Sequence, residues 1–92
     1  MIKSFRSGET EQLHARQRVD RLRAFERIAQ RKLRQLDIAV ELDDLRSPPG
    51  NHLEALRGNR EGQCSIRIND RWRIGFVWRD GDAYDVEIVD YH

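Results

Sequence analysis

The sequence predicts an α+β fold in which a short N-terminal strand and helices pack on an antiparallel β-sheet. The chain has 92 residues, which suits one domain over residues 1–92, because autonomous domains usually contain about 50–200 residues. Apolar residues recur with a helical period in the first half of the chain, and after Gly62 the period changes to the alternation typical of strands. The aromatic residues spread along the chain exclude a disordered tail.

The first half of the chain contains one long helical pattern and several shorter elements. Residues 2–5 alternate apolar and polar side chains, which predicts a short strand, and residues 9–14 predict a short helix. A longer helix is predicted from Asp20, a residue type that commonly caps helices. Its apolar residues follow one stripe of an α-helix, with arginines opposite: Leu22, Phe25, Ile28, Ala29, Leu33 and Leu36. A turn is expected over residues 41–46, and a loop over 47–51, because its two prolines cannot continue a helix.

The second half of the chain predicts three antiparallel strands. Side chains alternate over residues 65–69, 71–79 and 83–89, and the intervening Asn69-Asp70 and Asp80-Gly81 suit tight hairpin turns. The face expected to cover the helix is apolar: Ile66, Ile68, Trp72, Ile74, Phe76, Trp78, Tyr84, Val86 and Ile88. The opposite face is open and carries four arginines: Arg67, Arg71, Arg73 and Arg79.

Charge is distributed unevenly along a chain whose net charge is only +1. Residues 16–34 hold eight basic and two acidic side chains, residues 57–79 hold six arginines and two acids, and residues 80–92 hold five acids and no lysine or arginine. Because arginine presents planar donors that suit phosphate and carboxylate, this pattern indicates a polyanion or an acidic partner. For the first cluster a solvated helix face is an equally good explanation.

Several kinds of site are not expected. The three histidines lack the spacing of metal ligands, and the aspartates after residue 79 lack the remaining ligands of a calcium loop, so we expect neither metal nor cofactor. The single cysteine, Cys64, excludes an internal disulfide and is expected to be a small half-buried side chain rather than a nucleophile. No apolar run approaches the ~20 residues that span a bilayer, so we expect a cytoplasmic protein without a membrane partner.

The predicted last strand runs directly into Asp90-Tyr91-His92. Histidine exchanges a proton near neutral pH, because its ordinary pKa is about 6.5. Coupled to Arg73 on the open face, such a group would suit phosphodiester chemistry, in which an acid or base acts beside a cation. A frayed terminus without function is the alternative.

Six segments of the chain form a distinctive combination. They are Ile-Lys-Ser-Phe at 2–5, Pro-Pro-Gly-Asn at 48–51, Leu-Glu-Ala-Leu-Arg-Gly-Asn-Arg-Glu-Gly at 53–62, Ser-Ile-Arg-Ile-Asn at 65–69, Trp-Arg-Ile at 72–74, and the ending from Gly81 to His92. Together they resemble the HigB toxins, a branch of the RelE/ParE superfamily of type II toxin–antitoxin systems. The resemblance covers nearly the whole chain and is strongest from Pro48 onward.

The resemblance implies a RelE-like fold of the microbial-RNase type and a toxin that cuts mRNA in the A site of the 70S ribosome. The implied chemistry is metal-independent: the ribose 2′-OH attacks the adjacent phosphate and leaves a 2′,3′-cyclic phosphate and a 5′-OH. The implied partners are the ribosome with its mRNA and a helix-turn-helix antitoxin of the HigA type. Operator DNA would be reached only through the complex with that antitoxin.

The resemblance also implies site residues. Arg73 matches the phosphate-stabilising arginine of the family, and Tyr91 and His92 match its C-terminal catalytic residues, with Asp90 beside them. Contacts with RNA are expected from three further arginines: Arg60, Arg67 and Arg71. The acidic side chains of the last strand, Asp85 and Glu87, are expected to face solvent or the antitoxin.

One motif departs from the HigB pattern. Relatives carry Leu-His-Pro-Leu-Lys-Gly where this chain has Leu-Glu-Ala-Leu-Arg-Gly at residues 53–58, so Glu54 and Arg57 replace a histidine and a lysine. Glu54 is similar to the general base of the YoeB branch, and Arg57 retains a cation. Both Glu54 and His92 are therefore candidates for the first proton transfer.

Two other functions are compatible with the same fold, since fold alone does not determine function. One is a non-enzymatic, ParE-like inhibitor of DNA gyrase, but ParE-type chains lack the combination of Arg73 with Tyr91 and His92. The other is an inactive relative that acts as an antitoxin-binding corepressor, which the altered positions Glu54 and Arg57 favour.

Overall fold

The computed structural model describes residues 1–55 and 62–90, and four strands in these ranges form one antiparallel sheet in the order of the chain. Strand β1 comprises Glu54–Ala55, β2 Gln63–Arg67, β3 Trp72–Arg79 and β4 Asp82–Asp90. Strands β2 to β4 confirm the predicted three-stranded meander. The short β1 pairs with β2 in a region where no strand was predicted.

The helices lie in the N-terminal half. Helix α1 spans Gly8–His14, and the Ser7 hydroxyl caps it by accepting a hydrogen bond from the Thr10 N–H at 3.4 Å. Helix α2 spans Glu26–Ile38 and is preceded by a 3₁₀ helix over Asp20–Phe25. The prediction that Asp20 caps an α-helix is therefore wrong: Asp20 opens the tighter 3₁₀ segment, and the α-helix begins six residues later.

Two further 3₁₀ helices connect α2 to the sheet. The first spans Leu42–Arg46, where a turn was predicted, and it begins with a capping box between Glu41 and Asp44. The second spans Pro49–Asn51 within the predicted loop. This second 3₁₀ helix leads into β1, which pairs with β2.

The core lies between the helices and one face of the sheet. Its fully buried members come from both layers: Leu13, Leu22, Leu33, Leu36, Leu45, Ile66, Ile74 and Val86. The predicted helical stripe is largely confirmed, but Ile28 is 40% exposed and Lys32 is buried. The change from a 3₁₀ to an α-helix at Phe25 breaks the single helical phase on which that stripe was drawn.

The β3–β4 hairpin contains both a predicted and an unpredicted feature. Asp80 and Gly81 form its two-residue turn with φ of 53° and 81°, as the twist of a hairpin favours. Farther along, the pairing Gly75↔Glu87 is followed by Val77↔Tyr84, so two residues of β4 oppose the single residue between them on β3. This is a β-bulge, and it reverses the predicted alternation.

The bulge centres on Asp85, whose φ is 53°. Because of it, Ala83 and Val86 both face the core, although they are three residues apart. The prediction that Tyr84 shares the buried face with Val86 is wrong. The Tyr84 ring instead contacts Arg79, whose guanidinium carbon lies 4.3 Å from the ring centroid.

The N-terminal segment covers the free edge of β4. Ile2 and Phe5 form isolated parallel bridges with Ala83 and Val86, in place of a continuous short strand. The Ser4 hydroxyl accepts a hydrogen bond from the Asp85 N–H at 2.9 Å, so the segment also satisfies the bulge. Such cover removes an exposed sheet edge that could pair with another chain. No helix within the described ranges has the length and apolar character to cross a membrane.

The two acids expected to face solvent or antitoxin lie beside this segment. Asp85 is exposed, and its carboxylate accepts a hydrogen bond from the Ser4 hydroxyl at 3.5 Å. Glu87 is partly exposed and lies 4.0 Å from the Arg6 guanidinium. The prediction that these acids face solvent therefore holds for Asp85. Both acids also contact the N-terminal segment.

Candidate functional site

The face of the sheet away from the helices gathers polar residues from three strands. The pairs Glu54↔Ser65, Ser65↔Gly75 and Arg67↔Arg73 are in register, and residues paired across antiparallel strands share a face. We call the surface formed by Glu54, Ser65, Arg67 and Arg73 the open face. It unites two predicted catalytic residues, Glu54 and Arg73, with one predicted RNA-binding residue, Arg67.

Arg73 is held in place by β2 and by the chain that enters β1. Its Nε donates to the Ser65 Oγ at 2.8 Å, and its Nη2 donates to the Ser65 carbonyl at 3.3 Å. Nη2 also donates to the carbonyl of His52. Only 13% of the Arg73 side-chain surface is exposed, so this guanidinium is oriented by the fold rather than by solvent.

Glu54 places a carboxylate beside this guanidinium. Its Oε2 lies 4.0 Å from Arg73 Nη2, and 61% of the side chain is exposed. The separation allows electrostatic attraction without a tight hydrogen bond. The pair therefore combines a fixed cation with an exposed carboxylate.

The arrangement of Arg67 and Arg73 is unfavourable for stability by itself. Like charges directly opposite each other on antiparallel strands destabilise a sheet. Arg67 donates to the carboxylate of Asp70, and Arg73 lies near Glu54, so each cation has one acid close by. Two guanidiniums on one small surface are the arrangement that an anionic ligand stabilises.

Arg71 and Asp90 form a second charged pair at the end of the sheet. Arg71 lies in the β2–β3 connection rather than on a strand, which corrects the prediction that it projects from the open strand face. Its Nε donates to Asp90 Oδ2 at 2.7 Å. Asn69 shapes the connection, because its Oδ1 accepts from the N–H groups of Arg71 and Trp72 at 2.9 and 2.8 Å.

Asp90, predicted as a catalytic neighbour, lies opposite Trp72 at the end of β4. Four other predicted site residues lie outside the described residues: Arg57, Arg60, Tyr91 and His92.

A second basic surface lies on the outer side of α2. Four arginines, Glu26 and Gln30 line an open groove of about 490 Å³; the arginines are Arg16, Arg27, Arg31 and Arg34. Arg16 donates to Gln30 Oε1 at 3.1 Å, and within residues 1–55 and 62–90 no salt bridge engages the three helical arginines. We call this surface the helix groove.

Cys64 is buried on the core face of β2, opposite Phe76. Burial raises the pKa of its thiol, because a low-polarity environment disfavours the thiolate. Cys64 is more deeply buried than the half-buried side chain that was predicted, and its surroundings disfavour a role as nucleophile.

Comparison with known proteins decides the family. Residues 3–92 match the HigB-like toxin family, described as the RelE-like toxin of type II toxin–antitoxin system HigB. The chain belongs to this HigB-like family. The family resemblance inferred from the sequence motifs is therefore confirmed.

Two relatives make the family relationship concrete. The chain is 55% identical over 53 residues to Toxin HigB-1 of Vibrio cholerae, an alignment that covers 58% of this chain and 56% of the relative. It is 39% identical over 61 residues to Endoribonuclease HigB of Proteus vulgaris, covering 66% of this chain and 65% of that relative. The alignments thus span less than two thirds of either relative.

Solved structures show the same fold at low sequence identity. The YoeB–YefM complex from Staphylococcus aureus matches with a TM-score of 0.56 at 16% identity, covering 100% of this chain and 98% of that one. YafQ from Escherichia coli BL21(DE3) matches with a TM-score of 0.56 at 14% identity, covering 98% and 93%. The expected α+β fold of the RelE type is confirmed.

The structure adds open-face contacts that sequence reasoning missed in this HigB-like chain. Ser65 is buried and accepts from Arg73, and the backbone of His52 supplies a further acceptor. The role of Ser65 could have been suspected from the sequence, since this small polar residue is two positions from Arg67 and therefore lies on the same face of the strand. The role of the His52 carbonyl could not, because it depends on how the preceding turn is oriented.

Proposed function

We propose that this HigB-like toxin is an endoribonuclease that cuts mRNA in the A site of the ribosome and thereby inhibits translation. The observation that carries the proposal is the open face: a guanidinium held by three hydrogen bonds, a carboxylate 4.0 Å from it, and a second arginine directly opposite. A fixed cation suits a phosphate whose negative charge increases in the transition state. The exposed carboxylate suits proton transfer.

The proposed reaction replaces the bond from phosphorus to the 5′ oxygen with a bond from phosphorus to the 2′ oxygen. A base removes the proton of the ribose 2′-OH, and the 2′ oxygen forms a bond to the adjacent phosphorus. The bond from phosphorus to the 5′ oxygen then breaks, and an acid protonates that oxygen. The products are a 2′,3′-cyclic phosphate and a 5′-OH, and the protein's own side chains supply base, cation and acid.

Arg73 takes the role of the cation. Among the described residues its contacts use Nε and Nη2, which leaves Nη1 available to a non-bridging phosphate oxygen. Because Ser65 and the His52 carbonyl already orient the guanidinium, little reorganisation is needed as charge develops on the phosphorane. Arg57 and Arg67 supply further positive charge to neighbouring phosphates.

Glu54 and His92 share the proton transfers, and Asp90 and Tyr91 precede His92 in the sequence. Glu54 is supported as the base by its exposed carboxylate next to Arg73. His92 suits the acid, because histidine, with an ordinary pKa of about 6.5, both gains and loses a proton near neutral pH. The reverse assignment keeps the same pair of groups and is distinguished by the experiment below.

The helix groove is proposed to bind ribosomal RNA, together with Arg60 and Arg71. The helical arginines of the groove, which form no salt bridge with any part of the chain that the structure describes, are available to a polyanion, and neutralising phosphates releases counterions. The protein partner is proposed to be a helix-turn-helix antitoxin of the HigA type, which links the toxin to operator DNA in the cytoplasm. The type II family supports an antitoxin partner in general.

Primer extension on ribosomes with a defined codon in the A site tests this function. Wild-type protein should cut within that codon only when ribosomes are present. Arg73→Ala should lower the cleavage rate by about 10²–10³-fold, which is the usual effect of removing one oriented transition-state donor. Glu54→Gln and His92→Ala each remove one of the two groups that transfer protons. If one group is the base and the other the acid, the variant without the base should lose the fall in rate at low pH, and the variant without the acid should lose the fall at high pH.

The matched control is Arg46→Ala, which removes an exposed arginine paired with Asp43 outside both basic surfaces. It should cleave at the wild-type rate. Growth arrest without any cleavage would favour a ParE-like binder of gyrase, and neither arrest nor cleavage would favour an antitoxin-binding corepressor.

A further inference from the structure

We infer that Asn51, held by Lys32 of α2, is a positioning residue that sets the orientation of Arg73. Neither residue lies on the open face. Both act through the backbone of His52, whose carbonyl accepts a hydrogen bond from Arg73 Nη2. Only the consequence for RNA cleavage rests on the proposed function, because the orientation of the guanidinium is measurable by itself.

Asn51 joins three parts of the chain from a fully buried position. Its Nδ2 donates to Gln35 Oε1 and to the Leu45 carbonyl, each at 3.1 Å, and more weakly to the Ser47 carbonyl at 3.4 Å. Its own N–H donates to the Pro48 carbonyl at 2.9 Å. A buried amide with this many partners has one orientation, because any other would leave buried donors or acceptors unpaired.

Lys32 completes this network from the helix side. Its Nζ donates to Asn51 Oδ1, so the side-chain oxygen of the amide is also engaged. Lysine is rarely buried unless it is paired, and here the partner is a neutral amide rather than a carboxylate. A buried cation that serves no visible ion pair among the described residues is unfavourable for stability alone, which indicates that the contact has another role.

The residue after Asn51 is in a strained conformation. His52 adopts φ 43° and ψ 59°, the left-handed region that residues other than glycine rarely occupy. Such a conformation persists only where the surroundings enforce it. The Asn51 network and the hydrogen bond from the His52 N–H to the Pro49 carbonyl, at 3.1 Å, enforce it here.

The consequence is a chain of contacts from α2 to the open face. Lys32 holds Asn51, Asn51 fixes the turn, and the turn aims the His52 carbonyl at Arg73. Ser65 holds the guanidinium at Nε at 2.8 Å and, through a longer bond of 3.3 Å to its carbonyl, at Nη2, so the His52 carbonyl is a further attachment on Nη2. Without the His52 carbonyl, Nη2 would keep only the longer contact with Ser65, and a displacement near 1 Å is enough to lower a catalytic rate by about 10²-fold.

The first test measures the orientation of Arg73 without any substrate. The side-chain Nε–H of Arg73 is observed by ¹⁵N NMR, with Arg73→Ala used to assign its signal. We expect Asn51→Ala and Lys32→Met to speed the solvent exchange of this proton by about tenfold or more, because the guanidinium loses its contact with the His52 carbonyl. Lys3→Met, which alters the other lysine of the chain at an exposed position, should leave the exchange unchanged.

The second test is a double-mutant cycle in the ribosome cleavage assay. Asn51→Ala and Lys32→Met should each lower the cleavage rate by about 10–100-fold in the wild-type background, with the larger change in kcat than in KM. In the Arg73→Ala background the same changes should have no further effect. Equal losses in both backgrounds would mean a general structural role and would overturn the inference.

The two tests separate the possible failures. Unchanged exchange of the Arg73 Nε–H in Lys32→Met overturns the inference whatever the cleavage rates are, and this variant decides alone if Asn51→Ala does not fold. If the Arg73 Nε–H exchanges faster in these variants but the wild-type protein cleaves no RNA, the positioning role is supported and the proposed function is rejected.

Discussion

The open face and the helix groove are both rich in arginine, but the fold treats them differently. On the open face, Arg73 is 13% exposed and makes three hydrogen bonds to the protein. In the helix groove, Arg27, Arg31 and Arg34 line an open depression and form no salt bridge within residues 1–55 and 62–90. An oriented cation stabilises a transition state, whereas unconstrained cations bind a polyanion without fixing its geometry.

The largest expected effect comes from changing the shape of the oriented cation while keeping its charge. Arg73→Lys should lower the cleavage rate by about 10²-fold, because an ammonium cannot contact Ser65, His52 and a phosphate with fixed geometry. Ribosome affinity should change by less than about threefold. The measurement is single-turnover primer extension at saturating ribosomes.

Retention of the wild-type rate in Arg73→Lys would contradict the distinction between the two surfaces. Arg34→Lys is the matched control in the helix groove, where only charge is expected to matter. It should alter neither the cleavage rate nor the affinity.

A smaller effect is expected from removing charge in the helix groove. Arg27→Ala combined with Arg31→Ala should weaken ribosome binding. The slope of the logarithm of the binding constant against the logarithm of the salt concentration should decrease in magnitude by about 1.5, since each phosphate contact contributes about 0.7–0.9. The rate at saturating ribosomes should stay at the wild-type value. Binding measured across a series of salt concentrations tests this.

If the salt dependence of binding is unchanged in that double variant, the helix groove is a solvated helix face that does not contact RNA. The exposed arginine Arg46 again provides the control, because Arg46→Ala removes a charge that is already paired with Asp43. Its salt dependence should equal that of the wild type.

The smallest effect is the pH dependence of stability that is expected from Lys32, a buried residue of α2. Burial, followed by the nearby charges of Arg31 and Arg67, lowers the pKa of Lys32 below its ordinary value of 10.5. Between the lowered pKa and 10.5 the unfolded chain binds more protons than the folded one, so this lysine makes the free energy of unfolding rise with pH in that window. Below the window its contribution is constant.

Urea unfolding of the wild type and of Lys32→Met across this pH range isolates the contribution. The difference in unfolding free energy, wild type minus variant, should increase as the pH rises through the window. Lys3→Met should show no such trend relative to the wild type. A difference that falls with pH would mean that Lys32 is stabilised in its charged form by the fold, contrary to its burial.

The sequence predicted the main elements because local periodicity reports which side of each element is buried. The helical spacing from Leu22 to Leu36 and the alternation from Trp72 to Trp78 identified a helix layer and a sheet layer. The turn at Asp80-Gly81 was predictable because its residue types tolerate positive φ. The family resemblance rested on a dense set of motifs, and the matching of residues 3–92 confirms it.

Three features could not be predicted from local pattern. The bulge at Asp85 reversed the expected face of Tyr84, since one extra residue in an alternating strand changes the face of the residues before it relative to those after it. The 3₁₀ segment before α2 changed the helical phase and exposed Ile28. Lys32 was counted with the solvated basic residues, yet a buried amide from a distant turn provides its partner.

The sequence by itself determined the α+β class, the order of helix and sheet layers, the family and the presence of Glu54, Arg67 and Arg73 as candidate site residues. These follow from composition, periodicity and motif, which are local properties of the chain. Only the tertiary structure decided that the three share one face, that Ser65 and the His52 carbonyl hold Arg73, and that Asn51 controls that carbonyl. The physical reason is that these contacts join segments distant in the chain, and their geometry depends on how the strands pair and how the turn before β1 is oriented.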